Sequence, residues 1–162
     1  IMTDEARMKR NLWTRMEVSP ILMVGLVEAP EHSEPLTARL DPDQVDTLWF
    51  FVGRNSRLAK GGRAMAQFVS KGHDYFACLA GMAQVVEDKV MLDKLWAKDA
   101  ETWFPGGKSD PDLALLRVDI DCAELWETDT ALEGKLKKLL GKTDSGTRGG
   151  HAHVETTAGT AA

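Results

Sequence analysis

The chain has 162 residues, 43% hydrophobic and 28% charged, with 20 basic against 25 acidic side chains and a net charge of −5. Its length suits one domain and its composition a globular fold, which excludes disorder over most of the chain. The acidic balance argues against nonspecific nucleic-acid binding, and no apolar run approaches the roughly 20 residues of a membrane span.

The first element reads as a helix. Thr3 is placed to cap it, Asp4 and Glu5 occupy the first turn, and Met8, Leu12 and Met16 recur at i+4. Ser19-Pro20 ends it. Strands are expected over residues 21–27, 34–40 and 47–52, the last rich in aromatic and β-branched side chains. Residues 54–62 read as a loop entering a short helix that Gly61-Gly62 stops. Further strands are expected over 64–70 and 75–86, with Gly81 marking a bulge or a close backbone approach.

Glu87-Asp88 then opens a helix with Leu92, Leu95 and Trp96 on one face, followed by an aromatic turn over 103–107. The next strand alternates Leu116, Val118, Ile120 and Cys122 against Arg117, Asp119 and Asp121, and runs to about Trp126. A last helix is expected around Leu132, Leu136, Leu139 and Leu140, with Gly141 past its end. The reading is one domain over 1–142 and a flexible tail over 143–162, rich in Gly, Thr and Ala. About six strands with peripheral helices and no β-α-β alternation predict an α+β, mainly β fold around a six-stranded antiparallel barrel or sheet.

No nucleotide loop, Walker motif or nucleophile elbow is present, so no catalytic side chain stands out. His151 and His153 fall in the expected tail, Cys78 reads as a small core hydrophobe, and no metal site is expected. Lys135, Lys137, Lys138 and Lys142 fit a helix C-terminus better than a nucleic-acid contact. Cys78 and Cys122 form neither a disulfide framework nor a metal spacing, and residues 3–10 show no export-signal pattern. A reducing cytoplasm is therefore the expected location.

One set of segments resembles a known family. Residues 48–52 (Leu-Trp-Phe-Phe-Val), Asn55-Ser56-Arg57, and the run 75–85 are similar to the general stress protein branch of the pyridoxamine 5′-phosphate oxidase-like family. So are Trp103-Phe104-Pro105-Gly106-Gly107, Leu115-Leu116-Arg117-Val118 and Ala123-Glu124-Leu125-Trp126, and the likeness covers roughly residues 5–140. The resemblance implies a split β-barrel that binds FMN at a homodimer interface. The phosphate would be held by Arg39, Ser56 and Arg57, because forked guanidinium donors and hydroxyls suit a dianion. Phe51 and Val52 would line the flavin ring and Trp103 with Phe104 would shield it, leaving any oxidoreductase chemistry to the flavin.

Three positions depart from the family pattern. Glu34 stands in Ser33-Glu34-Pro35-Leu36 where relatives carry an arginine, Leu58 replaces a lysine, and Phe76 replaces an amide or tyrosine. Arg39, five residues after Glu34, is the expected substitute cation. Loss of two charge-assisted bonds, each worth roughly 1.5–3 kcal/mol, would weaken FMN binding on the order of 100-fold. Two readings therefore stay open: a flavin-binding redox protein, and a non-enzymatic split-barrel dimer whose pocket takes FMN weakly, another ligand such as a deazaflavin or haem, or none. Pyridoxamine phosphate oxidase activity itself is not expected, since no second phosphate site is visible. The aromatic density around Trp49, Phe50, Phe51, Trp96, Trp103, Phe104 and Trp126 adds to the expectation of a homodimer.

Overall fold

The computed structural model describes residues 3–128 and 150–155. Helix α1, Asp4–Val18, opens with the Ala6 amide donating to the Thr3 hydroxyl at 3.1 Å and buries Met8, Leu12 and Met16. Burying each such side chain is worth roughly 1.5–3 kcal/mol. The strands are β1 (Ile21–Leu26), β2 (Glu34–Thr37), β3 (Thr47–Gly53), β4 (Gly62–Val69), β5 (Tyr75–Val86), β6 (Leu113–Glu127) and β7 (Gly150–Glu155). Helix α2, Lys89–Leu95, lies between β5 and β6 and is capped by Asp88. Short 3-10 turns cover Arg57–Lys60, Lys98–Thr102 and Gly107–Ser109.

All strands pair antiparallel, in the order β2-β1-β4-β5-β6-β3. The two ends of that path meet at one isolated bridge, where the Arg39 amide donates to the Trp49 carbonyl at 2.6 Å. The sheet thus curls back on itself but stays open beside the bridge, as a split barrel does. Residues expected to extend the second strand to Leu40 instead leave β1 after Thr37 and cross to β3.

Among the described residues the strands number seven and not six. β7 pairs with the second half of β6, beyond the stretch that β3 covers, and lies where the sequence suggested a tail. The helix expected around Leu132 to Leu140, and the rest of that tail, lie outside the described residues.

β6 also changes face part-way. Ile120 pairs with Gly81 and Cys122 with Ala80, so Asp121 is an extra residue in a bulge. Leu116, Val118 and Ile120 face the core before the bulge, and Ala123 and Leu125 continue that face after it. Cys122 is therefore turned to the outer face, contrary to the alternation read from the sequence, and is half-buried there, as is Cys78. Gly81 permits the bulge: a Cβ on it would lie 1.9 Å from the Asp119 carbonyl oxygen.

Two cores result. The larger lies between α1 and the inner faces of the strands, and the Tyr75 hydroxyl ties it to α1 by donating to the Met8 carbonyl at 2.8 Å. The smaller joins Trp49, Phe51, Leu113 and Leu115 to Leu95, Ala100 and Phe104, outside the β3–β6 pair. With both faces covered, β3 is buried from Thr47 to Val52, which explains its unbroken apolar run. Asp41 fixes the cover of the smaller core: its buried carboxylate accepts from Lys94 of α2 at 2.8 Å.

Replacing Gly81 with Ala should destabilise the fold by about 3 kcal/mol in urea unfolding, because backbone and not a pliable side chain is in the way. An unchanged midpoint would contradict the bulge. The Lys94 ammonium holds the Asp41 carboxyl below its usual range, against the opposing effect of burial. Its folded pKa is below the unfolded value of about 3.9, so the stability it contributes is present above that pH and lost as pH falls through the folded pKa. Asp41→Asn should flatten the loss of thermal stability below about pH 4, and an unaltered acid limb would contradict the assignment.

Candidate functional site

A cavity of about 270 Å³ opens between β2, the end of β3, and the segment that follows α2. β2 contributes Glu34, Leu36 and Thr37; β3 contributes Phe51 and Val52; Ser56 stands just before the first 3-10 turn. The outer wall is the second 3-10 turn and its exit, with Ala100, Trp103 and Phe104. Backbone bonds to the Ala100 carbonyl from Trp103 at 3.1 Å and Phe104 at 2.9 Å set the two aromatics apart. Phe104 turns into the smaller core, and Trp103 is left 78% exposed at the cleft.

Six residues given a ligand-binding role from the resemblance line this cleft: Arg39, Phe51, Val52, Ser56, Trp103 and Phe104. Val52 does so while packing in the larger core. Arg57 is not among the lining residues; its guanidinium pairs with the Glu34 carboxylate at 3.2 Å. Leu58 is fully buried, so the position of the expected lysine points into the core in this fold. Phe76 lies on β5 and does not line the cleft.

Arg39 dominates the electrostatics. Its guanidinium sits 5.0 Å from the centre of the Phe51 ring and donates two parallel bonds to Asp99, Nη1 to Oδ1 at 2.9 Å and Nη2 to Oδ2 at 2.8 Å. Those bonds hold the Asp99 carboxyl below its usual range, against a smaller effect of burial. Arg39 Nε is buried without a partner, and so is the Ser56 hydroxyl. Buried polar groups are seldom left so, because each costs roughly 1–3 kcal/mol. A ligand offering hydroxyls or carbonyls along this wall would fit both.

Asp99 carried no signal in the sequence. It lies 60 residues from Arg39, and no local spacing links an acid on a short turn to an arginine at a strand end. Only the turn that follows α2 brings them together. A second cavity of about 270 Å³ lies beneath α1, lined by Leu12, Trp13, Met16, Leu48 and Leu79 among others, and gathers none of the expected site residues. His153, expected in a solvated tail, lies on β7 with Nδ1 2.9 Å from Glu124 Oε1, a contact that raises the imidazole pKa.

Comparison with known proteins agrees with the architecture. General stress protein 26 from Jannaschia sp. CCS1 is 24% identical, with a TM-score of 0.77 over 93% of this chain and 99% of that one, which speaks for the fold. The general stress FMN/FAD binding protein of Xanthomonas citri is 34% identical, with a TM-score of 0.72 over 77% and 92%. A general stress family protein of Xanthomonas campestris pv. campestris is 33% identical, with a TM-score of 0.72 over 80% and 93%. No curated protein matches the chain. The family described as "Pyridoxamine 5'-phosphate oxidase like" matches residues 7–149. With that match across most of its length, the chain belongs to the pyridoxamine 5′-phosphate oxidase-like family.

Proposed function

We propose that the chain is a flavin-binding protein of the general stress type, that it takes FMN in the cleft beside β2, and that it works as a homodimer. The observation that carries this reading is the pair of unpartnered buried groups, Arg39 Nε and Ser56 Oγ, on the wall of a cleft faced by Phe51 and Trp103. Likeness to the general stress FMN/FAD binding protein of Xanthomonas citri supports it. A bound flavin would supply hydride or electron transfer. The chain's own residues would hold and shield it: Ser56 and Arg39 take the polar tail, with Arg57 beside them, while Phe51, Val52 and Trp103 keep water from the ring.

A second reading has one observation in its favour. Arg39 in the cleft and Arg57 beside it are already paired with carboxylates, which suits weak FMN binding or a different, less charged ligand such as a deazaflavin. Haem is less well served, because no described histidine lines the cleft.

The homodimer rests on less aromatic surface than the sequence suggested. Trp49, Phe50 and Phe104 are buried within the single chain, and of the seven aromatics Trp103 is the strongly exposed one. Support comes also from Ile21, Met23, Met65, Val69 and Met82, each at least 40% exposed on the outer face of β1, β4 and β5. A cytoplasmic setting suits the two free cysteines, and no described helix is long and apolar enough to cross a membrane.

FMN should bind saturably in calorimetry, and Trp103→Ala should weaken it about tenfold, since a stacked aromatic is worth roughly 0.5–1.5 kcal/mol beyond its buried area. The exposed position predicts an unchanged melting temperature. Equal binding by the variant would remove Trp103 from the site, and no binding by the parent would overturn the flavin reading. In sedimentation equilibrium the expected mass is twice 17.8 kDa; a mass of one chain would refute the dimer.

A further inference from the structure

One cation lines the cleft and a second stands beside it, each matched by an acid. Arg39 gives both ends of its guanidinium fork to the two oxygens of Asp99, and Arg57 is matched by Glu34, which itself lines the cleft. The polar groups left without partners, Arg39 Nε and the Ser56 hydroxyl, can meet neutral oxygens as well as charged ones. From these observations we infer that Asp99 and Glu34 are specificity-determining residues that compete with a ligand's phosphate, so that this cleft selects an uncharged flavin ring and its hydroxylated chain and gains little from a terminal phosphate. The inference rests on the flavin reading of the cleft and deepens it by naming the ligand class.

Phosphate binding here competes with an ion pair already formed. A phosphate dianion gains strongly from a guanidinium only where the fork is free to receive it. Here the end of the fork is held by Asp99, in a bidentate pair whose arginine side chain is 12% exposed, so a phosphate meets a cation whose charge is already matched unless it expels that carboxylate. The displaced acid remains tethered to the turn that forms the cleft wall, so its charge stays close to the phosphate. Glu34 acts in the same sense at Arg57, from β2. Neither acid opposes an uncharged ring against Phe51 and Trp103. Riboflavin, which has the ring and hydroxyls of FMN without its phosphate, is therefore the discriminating probe.

The experiment is a pair of fluorescence titrations of the full chain, with FMN and with riboflavin, on the parent protein and on Asp99→Asn and Glu34→Gln. The parent should bind the two flavins with constants within fivefold of each other. Each variant should shift the ratio at least fivefold towards FMN and leave the riboflavin constant within twofold. Glu34→Gln alters a pair that is partly exposed on both sides and keeps the test standing if Asp99→Asn fails to fold. A parent that favours FMN by more than fivefold, or variants with an unchanged ratio, would overturn the inference and leave the flavin cleft intact. Failure of both flavins to bind any of the three proteins would overturn the flavin reading and the inference with it.

Discussion

The hydrogen bond from the Arg39 amide to the Trp49 carbonyl is the point on which the architecture turns. It joins the two ends of the strand path, so that an extended sheet becomes a curled one. The same residue places its guanidinium over Phe51 and against Asp99, at the floor of the cleft. Closure of the sheet and formation of the site are thus one event. A chain in which residue 39 stayed paired to β1 would lose the bridge and withdraw the arginine from the cleft.

The second constraint is the smaller core outside β3 and β6. Its aromatic and aliphatic side chains give α2 and the following turns a surface to fold against. Without that cover β3 would expose Trp49 and Phe51, and the cleft would have no outer wall. The Lys94 to Asp41 contact ties the cover to the segment just after the Arg39 bridge. Burial, closure and ligand access are in this way coupled through residues 39–41, α2 and the turn that carries Asp99.

Much of this was legible in the sequence where one local rule governed the outcome. The Thr3 cap, the bounds of β5, and the need for glycine at position 81 each follow from propensity, alternation or steric room in a short window. The face of Cys122 was not legible, because a single inserted residue resets the period and nothing near Asp121 announces it. β7 was missed because Gly150–Glu155 has too few apolar side chains to signal a strand; it is recruited by the free edge of β6. The cleft residues were named through a family resemblance, and six of them do meet. Their partners Asp99 and Glu34 act across the fold, and such long-range charge pairs leave no trace in spacing.

The central claim is that a flavin ring lies between the β3 wall and Trp103, with its polar tail towards Ser56 and Arg39. A crystal structure of the full chain grown with FMN tests it most directly. The account predicts flavin density in the cleft lined by Phe51 and Trp103, with Ser56 Oγ and Arg39 Nε within hydrogen-bond reach of ligand oxygens. Flavin bound elsewhere, for example beneath α1 among Leu12, Trp13 and Leu79, with the cleft empty, would contradict it.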